Sequence, residues 1–93
     1  MIKFIVMHLS INHIMYQTIG WIGTIAYLLG YFLLTTNKLK ADQIRYHVLN
    51  IIGSIGLTAN AVYYTDLPNV VVNVVWGIIA AGAIYVLLRK RGG

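Results

Sequence analysis

The stretch Asn69-Val70-Val71-Val72-Asn73-Val74-Val75-Trp76-Gly77-Ile78 opens a run that stays apolar as far as Leu88. It is roughly 20 residues long, and at ~1.5 Å rise per residue a helix of that length crosses a ~30 Å hydrocarbon core. Two side chains interrupt its apolar character. The Asn73 amide needs a hydrogen-bonding partner in hydrocarbon, and Trp76, three residues on, shares its helix face. That face points into a helix bundle or toward a bound solute.

Two further runs of similar length precede it, Tyr16 to Thr36 and Ile44 to Tyr64. The gap from Asn37 to Gln43 is polar and basic, and Asp42 is placed to N-cap the second helix. The gap from Thr65 to Pro68 is so short that the second and third helices must form an antiparallel hairpin, with Pro68 suited to a first turn. Of the 93 residues 59% are hydrophobic, while seven are Lys or Arg and two are Asp. So few charges cannot cover the surface of a soluble domain. The sequence therefore predicts an all-α integral membrane protein with three transmembrane helices, at about 16–36, 44–64 and 69–88, within a domain of residues 15–90.

The basic residues lie at the edges of the apolar runs. Lys3 alone falls on the side shared by the amino terminus and the second gap. Lys38, Lys40, Arg45, Arg89, Lys90 and Arg91 fall on the other. The positive-inside rule then puts the amino terminus outside and residues 91–93 in a cytoplasmic tail. Positive charge so placed is a membrane flank meeting anionic head groups, so the lipid bilayer is the partner and nucleic acid is not. Residues 1–14 have no small-residue cleavage site and are too short to span. They read as an interfacial or disordered extension rather than a signal peptide.

Each run has one polar, small-residue face. Gly20, Gly23, Thr24, Tyr27 and Tyr31 align on the first, and Asn50, Gly53, Ser54, Leu57 and Asn60 on the second. The third aligns Asn69, Asn73, Trp76, Gly77 and Ala80. Helices in lipid associate through close packing of such residues. Ile19-Gly20-Trp21-Ile22-Gly23 and Ile52-Gly53-Ser54-Ile55-Gly56 echo each other, which fits convergent small-residue packing. For Asn50, Asn60 and Asn73 one reading is interhelical hydrogen bonding, and for Asn50 and Asn60 it weighs evenly against solute contact, to which Ser54 would contribute. Asn73 beside Trp76 favours solute contact, since an amide both donates and accepts and an indole stacks on a sugar face. Tyr16, Trp21, Tyr63, Tyr64, Tyr46 and Tyr85 read as interface anchors.

Nothing points to an enzyme. The two carboxylates, Asp42 and Asp66, belong to opposite membrane faces, and no nucleophile, base and acid converge. Cysteine is absent, and His8, His13 and His47 lack metal-ligand spacing, so neither a metal nor another cofactor is expected. With no carboxylate inside a span, passive facilitation is more natural than a proton relay.

A single three-helix unit is too thin to enclose a path, but two units are not. The arrangement resembles the bacterial SemiSWEET sugar transporters and the wider PQ-loop group, three-helix units that pair in parallel around a central cavity with the amino terminus outside. The resemblance is carried by Asp66-Leu67-Pro68 leading into the third run, by Asn73 five residues past the proline, and by Gly53. It implies a SemiSWEET-like half-transporter bundle, a homodimer in a bacterial inner membrane, and Asn73 as a solute contact. Leu28-Leu29 stands where that group has a hinging Pro-Gln pair, leaving Gly30 and Gly53 as candidate hinges. Leu57 stands where it has a sugar-sandwiching Trp, with Trp76 on the neighbouring helix. The set Tyr46, Leu49-Asn50, Gly53, Asn73 and Trp76 also resembles an uncharacterised family of small three-helix bacterial membrane proteins. The expected function is homodimeric passive transport of a small polar, sugar-like solute by alternating access. Asn73, Trp76, Asn50, Ser54 and Asn60 would bind it. The other reading is a membrane-embedded packing or accessory module that transports nothing.

Overall fold

The computed structural model describes the backbone of residues 2–92 and the side chains of residues 2, 3 and 11–91. It is all-helical, with α1 (Ile2–Thr35), α2 (Ile44–Tyr63) and α3 (Leu67–Gly92). Two of these helices are long and apolar enough to cross a membrane, α1 over Ile11–Thr35 and α3 over Leu67–Arg91. The more polar α2, which carries Arg45, His47, Asn50 and Asn60, packs against both of them. The backbones of α1 and α3 do not approach each other. The order across the molecule is thus α1, α2, α3.

The first fourteen residues, expected as an interfacial or disordered extension, continue α1 as helix from Ile2. No Gly or Pro lies between Ile2 and Met15, so a helix nucleated in the apolar run propagates backward at little cost. Toward the other terminus α3 extends through Arg91 to Gly92, where a tail was expected; Met1, Gly93 and the His8 side chain lie outside the described residues.

Both connections are closed by the same backbone device. After α1, the Lys38 N–H donates to the Leu33 carbonyl at 2.9 Å and the Asn37 N–H to the Leu34 carbonyl at 3.2 Å, with Asn37 left-handed at φ 62°. After α2, the Asp66 N–H donates to the Ala61 carbonyl at 2.8 Å and the Thr65 N–H to the Val62 carbonyl at 3.1 Å, with Thr65 at φ 56°. This is the Schellman closure, whose left-handed position favours Gly or Asn; a β-branched Thr is strained there. Asp42 does not cap α2. The cap position falls one residue later on Gln43, whose side-chain oxygen instead accepts the Lys40 N–H at 2.9 Å. Pro68 lies in the first turn of α3 as expected. Asp66 sits at that helix's start and accepts a long 3.4 Å bond from the Asn69 N–H, a carboxylate well placed against the helix dipole.

Glycine sets the distance between α1 and α2. A Cβ on Gly56 would stand 2.7 Å from the Ile19 carbonyl oxygen, and one on Gly23 would stand 2.9 Å from the Gly53 carbonyl oxygen. The two backbones therefore touch. Little of the apolar surface is covered in return, because Val71, Val75, Ile78, Ile22, Ile25 and Leu28 all face outward. Exposed apolar faces of this extent mark surfaces that meet a membrane or another protein.

An amide and aromatic cleft over the central helix

Because α1 and α3 flank α2 without meeting, a cleft of about 310 Å³ opens between them. It is lined by Tyr27 and Tyr31 of α1, Tyr46 and Asn50 of α2, and Val72, Asn73 and Trp76 of α3. None of these side chains carries a charge. Helix periodicity explains the grouping: 27 and 31, 46 and 50, and 72 or 73 and 76 are one turn apart on their own helices.

Asn73 is the best-held side chain in the cleft. Its Nδ2 donates to the Asn69 carbonyl at 2.9 Å and to Asn69 Oδ1 at 2.6 Å, while its Oδ1 accepts the Tyr27 hydroxyl at 2.9 Å. The two Asn69 acceptors fix which way the amide points, leaving the oxygen toward α1. The Asn73 backbone carbonyl accepts the Ser54 hydroxyl. Asn73 is 4% exposed, so its contribution to the cleft is chiefly the placement of Tyr27.

Asn50 differs. It is 7% exposed and borders the cleft, yet its amide bonds to no other described group. No fully enclosed side-chain polar atom among the described residues lacks a partner, so the Asn50 amide remains reachable from the cleft. An amide in this position offers donor and acceptor together to an entering hydroxyl or amide. Trp76, 47% exposed, and Tyr31, 67% exposed, present ring faces beside it. A smaller cleft of about 200 Å³ next to His47, Ile79 and Ala80 shares Tyr46, Asn50 and Trp76.

The five residues singled out in the sequence do not form one site. Asn50, Asn73 and Trp76 meet in the central cleft. Ser54 lies behind it, buried against Gly77, where a Cβ would overlap its hydroxyl. Asn60 lines a separate cleft of about 270 Å³ with Gln17, Gly20, Trp21, Thr24, Leu57 and Tyr64, and its Nδ2 donates to the Tyr16 carbonyl at 2.8 Å. Gly53 acts as a seat: a Cβ on it would overlap the Tyr27 ring lying across it. Unbroken helix runs through Gly30, whose missing Cβ would meet Leu49 only at an ordinary 3.5 Å. The residue the sequence reading undervalued is Tyr27. Its partner is 46 positions away, and helical spacing within one segment carries no trace of it.

Of the aromatic residues read as anchors, Tyr16 and Tyr63 stack at 4.4 Å between centroids, and the Tyr64 hydroxyl meets His13 Nδ1 at 3.0 Å. At the opposite end of the molecule the Arg89 guanidinium lies 5.9 Å from the centre of the Tyr85 ring. Among the described residues no group of three or more His, Asp or Glu is placed to hold a metal ion.

One family model matches the chain, over residues 16–91, and it carries no function. No curated protein and no solved structure matches it. The matched region takes in α1 from Tyr16 onward, all of α2, α3 as far as Arg91, and the three clefts just described.

Proposed function

The chain belongs to the family matched over residues 16–91, and from its cleft we propose a three-span membrane protomer that binds a small uncharged polar solute and moves it passively as a homodimer. The observation that carries this is the Asn50 amide, nine-tenths buried, without a partner among the described residues, and open to a cleft framed by Tyr31, Tyr46 and Trp76. An unpartnered amide in a membrane is unfavourable unless water or a solute visits it. With no charge on the lining, an ion would enter against an uncompensated desolvation cost, and a hydroxyl-bearing ring fits the chemistry better. The cleft is open on one side. It is half of a chamber, and a second copy turned about a two-fold axis supplies the other half.

The third span is α2. Its ~20 residues reach ~30 Å, and Asn50, Ser54 and Asn60 face the other helices or the groove rather than lipid. The Lys and Arg distribution sets the amino terminus outside and the carboxyl terminus in the cytoplasm. SemiSWEET and PQ-loop transporters supply the analogy through Asp66-Leu67-Pro68 and Asn73, and with it a bacterial inner membrane and alternating access. Asp42 and Asp66 stand beyond opposite ends of α2, ~30 Å apart, which disfavours an enzyme.

A packing module is the second reading, favoured by the saturation of Asn73 and Ser54 within the protomer. Counterflow uptake in proteoliposomes separates the two, with labelled sugars, polyols and small amides. Uptake by the wild type that is lost in Asn50→Ala supports transport. No uptake of any of them by folded wild-type protein supports the packing module.

A further inference from the structure

The central cleft and the cleft around Asn60 lie on the same side of the molecule. On α1 the lining residues of both, Gln17, Thr24, Tyr27 and Tyr31, follow one another at three- to seven-residue steps. On α2, Tyr46, Asn50 and Leu57 do so too, followed by Tyr64 at its C-cap. Steps of that kind keep to one helix face. The two clefts are therefore successive segments of one groove, and what separates them is the turn of α1 that carries Tyr27.

Tyr27 is placed to divide the groove. Its ring lies across Gly53 on α2, where any Cβ would overlap it, and its hydroxyl reaches over to Asn73 on α3 at 2.9 Å. Among the described residues this is the one hydrogen bond that joins α1 to α3, whose backbones stay apart. Asn69 fixes the acceptor from behind. The Asn60 cleft has polar capacity of its own. Gly20 leaves room for the Asn60 amide, of which one N–H is committed to the Tyr16 carbonyl while Oδ1 bonds to no described group.

We propose that the Asn60 cleft is an outer docking site for the same uncharged hydroxyl- or amide-bearing solute, and that Tyr27 is the removable partition between it and Asn50. Release of the hydroxyl from Asn73 frees the ring to leave its seat on Gly53, and the two segments become continuous. This rests on the transport reading, and it adds a second site and the residue that positions the barrier.

The test uses the absence of cysteine. Asn50→Cys, in otherwise wild-type protein in sealed, oriented membranes, is treated with a small membrane-impermeant thiol reagent from either side. Tyr27→Phe keeps the ring and removes only the hydroxyl. It is expected to raise the labelling rate from the amino-terminal side about three- to tenfold, the change in an open–closed equilibrium from one intramembrane hydrogen bond. The rate from the opposite side should hold, a sidedness that general loosening of the fold would not produce. Gly53→Ala, which dislodges the ring without touching Asn73, should act in the same direction. Labelling from the amino-terminal side that is unchanged in Tyr27→Phe, with labelling from the other side intact, overturns the partition and leaves the transport reading standing. No labelling from either side in any background overturns both.

Discussion

Toward α2, α1 presents Gly20 and Gly23 and comes into backbone contact; toward α3 it presents Tyr27 and Tyr31 and leaves a groove bridged by one hydrogen bond. The first contact is made of atoms that cannot move aside, such as the Ile19 and Gly53 carbonyls. The second is a phenol on a rotatable side chain. In lipid, where apolar surface gives no net drive for helices to associate, such a difference decides which pair stays together and which can part. The α1–α2 seam is fixed by backbone contact, and α3, which packs on α2 through Gly77 and Ser54, is held to α1 across the groove by the Tyr27 hydroxyl.

Five substitutions probe that contrast and its surroundings. Gly56→Val should have the largest effect, because its Cβ alone meets the Ile19 carbonyl at 2.7 Å and the backbones must separate. A loss of about 1–3 kcal/mol or more is expected from overpacking, read as reduced thermal stability in detergent. A Gly56→Val protein as stable as wild type would mean that the seam is not tight. Asn73→Ala comes next. It removes the acceptor of Tyr27 and should lower stability by about 1–2 kcal/mol, while Tyr27→Phe loses no more than about half of that. Equal losses in the two variants would show that Asn73 does nothing beyond that bond.

Thr65→Gly changes the sign. Thr65 occupies a left-handed position at φ 56° that a β-branched residue tolerates poorly, so glycine should stabilise by about 1 kcal/mol. An unchanged melting temperature would argue against that turn. Gly30→Ala should be the smallest change. Its Cβ meets Leu49 at 3.5 Å and fits, and alanine favours helix by about 0.5–1 kcal/mol. A gain in stability together with lost uptake would restore Gly30 as a hinge; a gain with uptake intact removes it.

Three helices, the limits of the second and third within a few residues and the small polar faces of all three are legible in the sequence, because hydropathy and 3.6-residue periodicity act within a segment; the start of α1 at Ile2 is not. The same logic places Asn50, Asn73 and Trp76 on inward faces, and they do share a cleft. Periodicity does not say which inward faces meet. That α2 lies in the middle depends on Gly23 and Gly53 approaching from different helices. For the same reason Ser54 falls behind the cleft and Asn60 in another one, although both share a face with Asn50. The division of labour between the two amides is equally hidden. Asn69, one turn before Asn73, occupies its donors, and Asn50 has no such neighbour. The Asp42 cap failed by a single position, within the usual drift of helix ends.

The central claim is that the groove faces a second copy across a two-fold axis. Oxidative cross-linking of single-cysteine variants in the native membrane tests it most directly. Tyr31→Cys lies on the groove and Ile78→Cys on the outward face of α3, both well exposed in the protomer. Rapid disulfide-linked dimer with Tyr31→Cys and none with Ile78→Cys is the predicted result, since residues near a two-fold axis meet their own copies. Cross-linking through Ile78→Cys, with Tyr31→Cys inert, would turn the groove toward lipid or a different partner and contradict the account.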